Sequence, residues 1–203
     1  LAAVAGVFWF GLLFFAGITS SLAMGTPCMG FLMDEFGWKR ERSAWTFGLA
    51  ILILGLPTVL FFNHGVFDEY DYWAGTVSLV VFALAEIILF AWVFGMDKGW
   101  KEITMGSDIK VPTAFRFIIQ FVTPLMLGWV FVASLPDIWN KINNTALKAE
   151  LALSTDPLRI DAINEQMAYL NGSRVLLLGI FVAVSYLVYI AYKKRLKEGR
   201  KTV

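Results

Sequence analysis

Long apolar stretches alternate with short polar segments along the chain. A helix needs roughly 17 to 25 residues to cross the hydrocarbon core of a bilayer. Several stretches are long enough, and the charged residues inside them are Glu86 and Arg116. The predicted membrane spans are residues 7–33, 44–62, 72–94, 112–135 and 175–192. The pattern therefore predicts an all-α protein, a polytopic bundle of transmembrane helices.

Lysine and arginine residues are distributed unevenly between the connecting segments. They are frequent after the first span, after the third span and in the basic tail at residues 193–203, whereas the turn at residues 63–71 has none. We predict a multi-pass protein of the cell membrane. Because positive charges favour the cytoplasmic side, the segments rich in lysine and arginine are expected to lie inside. The N-terminal end of the chain is expected outside and its C-terminus in the cytoplasm. We interpret the tail as a topology anchor rather than as a lipid-binding motif.

The segment between the fourth and fifth predicted spans, residues 136–174, is polar and is predicted to be an ordered outer loop. Asp156 is a suitable helix cap and Pro157 a suitable first helical residue, so a surface helix is predicted to begin there. Apolar residues then recur at steps of three and four, at Ile160, Ile163, Met167 and Leu170. This spacing predicts one apolar face, packed on the membrane domain or on a partner.

Composition supports the membrane assignment and excludes several functions. Of the 203 residues, 58% are apolar and 16% are charged, which is too apolar for a soluble domain of this length. Lys and Arg total 17 against 16 Asp and Glu, so no nucleic-acid partner is implied. Cys28 and His64 are single residues of their kind and predict neither a disulfide nor a metal site. The sequence contains no phosphate-binding loop and no nucleophile motif that would indicate an enzyme.

Small and polar residues form a stripe within the first span. Ala16, Thr19 and Ser20 stand at i, i+3 and i+4 and therefore share one helix face, which Ala23 and Met24 continue. Two hydroxyls and a backbone carbonyl provide half of an oxygen cage for a hard cation, and sodium would suit it. Small residues are also ordinary packing surfaces between membrane helices, and spacing alone favours packing.

Three sequence blocks then point to a known family. They are Phe-Phe-Ala-Gly-Ile-Thr-Ser-Ser at 14–21, Asp-Glu-Tyr-Asp-Tyr-Trp-Ala-Gly-Thr at 68–76, and Phe-Gly-Met-Asp-Lys-Gly-Trp at 94–100. In this order they resemble the neurotransmitter:sodium symporter family, particularly its bacterial amino-acid transporters with the leucine-transporter fold. The resemblance implies that the chain is the C-terminal part of that inverted-repeat fold and carries the last five of twelve helices.

The resemblance also implies an ion site and a substrate pocket. In the family a sodium ion lies between the first and eighth helices, so Ala16 would offer its carbonyl oxygen, and Thr19 and Ser20 their hydroxyl oxygens. The remaining ligands would lie in upstream helices. By the same match Ser20 and Met24 would line the substrate pocket, with Met24 facing the substrate side chain.

Three further acidic residues have candidate roles. Asp71 resembles the outer-gate carboxylate of the family, which pairs with an arginine of the first helix, and Asp34 resembles its inner counterpart. Both are otherwise explained as acids at a membrane edge, and the helix dipole also favours Asp71. Glu86 lies about four turns into the third span, where an unpaired carboxylate needs a proton or a polar partner. A proton relay is an alternative, but we favour a hydrogen bond to a neighbouring helix.

The function predicted from the sequence is sodium-coupled symport of a small solute, expected to be an amino acid, by alternating access. The chain starts without methionine inside an apolar stretch, so we expect that N-terminal helices of the same transporter are missing from it. The expected partners are these helices, an amino-acid-like substrate and membrane lipid, and a homodimer is left open. The alternative is a non-transporting membrane scaffold or accessory subunit that grips a partner helix with the same stripe.

Overall fold

A computed structural model describes residues 2–106 and 111–197 of the chain. Within these ranges the chain is almost entirely helical and contains no strand. The helices are α1 (Ala2–Phe36), α2 (Arg40–Leu60), α3 (Val66–Thr104), α4 (Ala114–Ile142), α5 (Thr145–Leu153) and α6 (Pro157–Lys197). All except α5 are long and apolar enough to cross a membrane. The prediction of an all-α protein with several transmembrane helices is confirmed.

Two compact units contain these helices. The first comprises residues 2–60 and 180–197 of the described chain, and the second comprises residues 61–106 and 111–179. The last residues of the predicted basic tail, 198–203, lie outside the described residues.

In the first unit, α1 and α2 follow each other through a tight turn at residues 37–39 and pack side by side. Gly25 of α1 is buried against the ring of Phe47 of α2, where an added Cβ would lie 2.7 Å from Phe47 Cζ. The glycine is therefore required for this close approach. At the end of α1, Glu35 is 6% exposed and accepts two hydrogen bonds from Arg195 of α6.

In the second unit, α3 packs along α4. The regular helical conformation of α3 is interrupted at Gly95, whose φ of +95° is a positive value that favours glycine. Beyond this break, Asp97 forms an ion pair with Arg116 at the start of α4. An added Cβ at Gly99 would lie 2.6 Å from Phe90 Cζ. The block at 94–100 thus contains the interruption of α3 and packs closely on Phe90 of the same helix.

The helix α6 differs from the expected surface helix followed by a separate span. It begins at Pro157 and continues without interruption to Lys197, so the predicted surface helix and the fifth span are one element. Asp156 caps it as predicted, since its Oδ1 accepts a hydrogen bond from the Leu158 amide at 3.1 Å. The predicted apolar face is also confirmed, with Ile163 1% and Leu170 8% exposed.

Candidate functional site

The predicted sodium ligands lie together on one exposed face of α1. The Thr19 hydroxyl is 2.9 Å from the carbonyl oxygen of Phe15 and 3.0 Å from that of Ala16, and it can donate to either. The hydroxyl proton is thus directed at the backbone, and the oxygen lone pairs remain available. Ala16, Thr19 and Ser20 are all exposed in this chain.

Two oxygens at this separation suit a single hard cation. The oxygen ligands of calcium, a hard cation, lie about 2.3–2.6 Å from the ion. The Thr19 hydroxyl oxygen and the Ala16 carbonyl oxygen, 3.0 Å apart, are therefore close enough to contact one ion together. The geometry supplies one side of an oxygen cage, on a surface that still has room for further ligands.

This face points away from α2. Successive residues of a helix are rotated by about 100°, which places Ala16, Thr19 and Ser20 roughly 120–180° from Gly25, the residue packed on Phe47. A cavity of about 510 Å³ lies on the α2 side of α1. Its lining is apolar except for Ser21, and none of the predicted sodium or substrate residues contributes to it. The contact with α2 therefore leaves the predicted site face free.

Met24, predicted to face the substrate, is 78% exposed on α1. It precedes Gly25, the α1 residue that contacts Phe47, and lies about 100° from it around the helix. Met24 is therefore nearer to Ser20 than to the contact with α2. Its flexible thioether side chain can adapt to an apolar group of varied shape.

The two predicted gate carboxylates are both exposed. Asp71 begins a π-helical segment of α3, Asp71–Val77, and Asp34 lies in the last turn of α1. Gly75 leaves space for the Asp71 carboxylate, because an added Cβ there would be 2.9 Å from Asp71 Oδ1. Short π-helical segments within α-helices occur frequently at functional sites.

A buried carboxylate lies two residues before Asp71. Glu69 is 0% exposed, and its Oε1 accepts hydrogen bonds from Arg174 Nε of α6 and from Trp73 Nε1, the latter at 2.7 Å. Lys141 Nζ of α4 lies 3.6 Å from the other carboxylate oxygen. The first turn of α3 is thereby joined to α4 and α6 by one carboxylate and two cations.

Comparison with known proteins identifies the family of the chain. A sequence model of the Sodium:neurotransmitter symporter family matches residues 1–195. The chain belongs to this family. Membership confirms the resemblance carried by the three sequence blocks, and it confirms that the chain is not an enzyme, because members of this symporter family are transporters.

Several curated relatives are similar to this symporter-family chain. The sodium-dependent nutrient amino acid transporter 1 of Drosophila simulans is 27% identical over 133 residues, which cover 65% of this chain and 21% of that protein. The same-named protein of Drosophila melanogaster gives the same figures. An uncharacterized sodium-dependent transporter of Methanocaldococcus jannaschii is 29% identical over 126 residues, covering 60% of this chain and 25% of that protein. The matched part thus spans a fifth to a quarter of the length of these relatives.

Two residues of this symporter-family chain were missed as candidates. The buried carboxylate beside Asp34 is Glu35, and the buried carboxylate beside Asp71 is Glu69. Glu69 lies in the block at 68–76, but no sequence pattern pairs it with Arg174. Glu86 is exposed on α3, and no hydrogen bond or ion pair to it occurs within residues 2–106 and 111–197. Its hydrogen bond to a neighbouring helix stays a prediction.

Proposed function

We propose that this chain is the C-terminal part of a sodium-coupled symporter that carries an amino acid by alternating access. The observation that supports it most directly is that Ala16, Thr19 and Ser20 share one exposed face of α1 that α2 does not cover. Family membership and the names of the sodium-dependent relatives support the choice of ion and of cargo.

The ion site in this proposal is shared between this chain and further helices of the same transporter. Ala16 supplies a carbonyl oxygen, and Thr19 and Ser20 supply hydroxyl oxygens. Uncharged oxygens suit an ion that must be released in every cycle, because a carboxylate would hold it more strongly. Ser20 and Met24 continue the same face toward the substrate, so sodium and substrate bind side by side and each stabilises the other.

In the proposed orientation α1 starts at the outer face and α6 ends in the cytoplasm. The charge distribution supports this, since Lys39, Arg40 and Arg42 follow α1, and Lys193 and Lys194 end α6. Asp71 then lies at the outer entrance and Asp34 at the inner one. Alternate closure at these two residues would expose the site to one side of the membrane at a time.

The experiment is uptake of radiolabelled amino acids by proteoliposomes that contain the complete transporter with this segment. We expect uptake under an inward sodium gradient and background uptake when choline replaces sodium. Equal uptake in both salts would contradict sodium coupling. A parallel preparation of these 203 residues alone is expected to give background uptake, because part of the ion and substrate site lies elsewhere. Uptake by that preparation would overturn the shared site.

A further inference from the structure

The cluster around Glu69 is the most deeply buried ionic group in the described part of the chain. The Glu69 side chain is 0% exposed, that of Arg174 13% and that of Lys141 37%. A buried carboxylate that loses one of its charged partners is strongly destabilising, so the cluster favours the one arrangement in which all of its members are paired. The first turn of α3 is therefore held in one position as long as the cluster is intact.

Arg174 extends the cluster to the last residue of α4 and to the turn that follows it. Its Nη1 donates to the Ile142 carbonyl oxygen at 3.0 Å and to Asn171 Oδ1 at 3.2 Å, and its Nη2 donates to Asn144 Oδ1 at 2.8 Å. Asn144 has a left-handed φ of +52° in the turn between α4 and α5. One guanidinium group thus fixes the end of α4, this turn and α6 relative to Glu69 of α3.

Asp71 and Glu69 occupy opposite faces of the same turn. Two residues correspond to a rotation of about 200° around a helix, which agrees with an exposed Asp71 and a fully buried Glu69. Between Tyr70 and Ser78 the helix is π-helical, and Ser78 Oγ donates to the Trp73 carbonyl oxygen at 2.7 Å. Because Glu69 and Asp71 belong to the same helical turn, a movement of the turn at Glu69 also displaces the Asp71 carboxylate.

We propose that Glu69 is a positioning residue for the outer gate, in that its ion pairs with Arg174 and Lys141 hold the turn from which Asp71 projects. The inference rests on the proposed function, since it takes Asp71 as the gate carboxylate. It goes further, because it makes gate closure depend on Lys141 of α4 and Arg174 of α6. These two helices contain none of the predicted site residues.

The test measures how fast bound substrate leaves the complete transporter. Purified protein is loaded with radiolabelled amino acid in sodium and then diluted into excess unlabelled amino acid. Glu69→Gln keeps the shape of the side chain and an acceptor for Trp73 but removes the charge. We expect the dissociation rate constant to rise at least about fivefold, because breaking a buried pair weakens closure. The same increase is expected for Asp71→Asn, and the double variant should not exceed it.

A second variant and a matched control complete the set. Lys141→Met removes the more exposed cation, so it is expected to fold and to raise the rate constant about twofold. Glu150→Gln breaks an ion pair with Arg159 whose side chains are 44% and 56% exposed. It should leave the rate constant unchanged. The rate constant reports on occupied molecules only, so a change in the folded fraction does not alter it.

The outcomes separate the two proposals. Sodium-dependent binding by the wild type, with unchanged dissociation in both Glu69→Gln and Lys141→Met, overturns the positioning role and leaves the proposed function intact. Additive effects of Glu69→Gln and Asp71→Asn also overturn it, since the two residues would then act separately. Absence of any sodium-dependent amino-acid binding by the wild type overturns both.

Discussion

The guanidinium group of Arg195 donates hydrogen bonds to both carboxylate oxygens of Glu35, 160 positions earlier in the chain. The Glu35 side chain is 7% exposed and that of Arg195 42%. Lys194 adds a bond from Nζ to the Glu35 carbonyl oxygen at 2.8 Å. The end of α1, the helix that carries the predicted sodium ligands, is thereby attached to the end of α6.

Loss of this pair is expected to lower the stability of the protein. Arg195→Met removes both hydrogen bonds and leaves a nearly buried carboxylate with one charged partner fewer, so we expect it to lower the free energy of unfolding by more than the control does. Thermal unfolding of the purified protein in detergent measures it. Arg159→Met, which breaks the exposed pair with Glu150, is the control and should cost less than about 1 kcal/mol. Equal effects would show that burial of Glu35 adds nothing.

A second prediction concerns the effect of the close packing at Gly25 on stability. In Gly25→Ala the added Cβ would lie 2.7 Å from Phe47 Cζ, so α1 and α2 must separate or the ring must rotate. Overpacking of this kind costs about 1–3 kcal/mol. The same unfolding measurement applies, with Gly30→Ala as control, because no atom lies within 4 Å of an added Cβ there. Partial recovery is expected in Gly25→Ala combined with Phe47→Leu.

Glu86 provides a third prediction, about a polar group within a membrane span. If its role is to hydrogen-bond a neighbouring helix, Glu86→Gln should retain amino-acid uptake because the amide keeps both a donor and an acceptor. Glu86→Leu should impair uptake because it can make no such bond. Initial uptake rates in proteoliposomes decide between the roles. A loss of uptake in Glu86→Gln would favour the proton relay, and equal uptake in all three forms would exclude both roles.

The helices were predictable because their signals are local. Apolar runs located the five long helices, and Asp156 with Pro157 marked the start of α6. The helix α4 continues through Pro136 to Ile142, past the predicted end of the fourth span and into the segment predicted as an outer loop. A proline in a helix removes one backbone hydrogen bond, and membrane helices tolerate it because neighbouring groups satisfy the freed carbonyl.

The ionic contacts were not predictable, for a different reason. Glu69 and Arg174 are 105 positions apart, and Glu35 and Arg195 are 160 positions apart. A charged residue at the end of an apolar run is ordinary, and only the folded chain brings each pair together. The stripe at Ala16, Thr19 and Ser20 was found because its members are neighbours on one helix turn, and its use as an ion site still depended on the family resemblance.

The central claim is that this stripe binds sodium, and the sodium concentration that half-saturates amino-acid uptake tests it most directly. The complete transporter is compared with its Thr19→Ala, Ser20→Ala double variant in proteoliposomes. Thr26→Ala is the control, since Thr26 lies on the same helix and makes a similar bond, from its hydroxyl to the Leu22 carbonyl oxygen at 3.0 Å. Loss of two ligand oxygens should raise the half-saturating concentration at least about tenfold, equivalent to about 1.4 kcal/mol, while the control stays at the wild-type value. A double variant with the wild-type sodium dependence would show that the stripe packs against other helices and binds no ion.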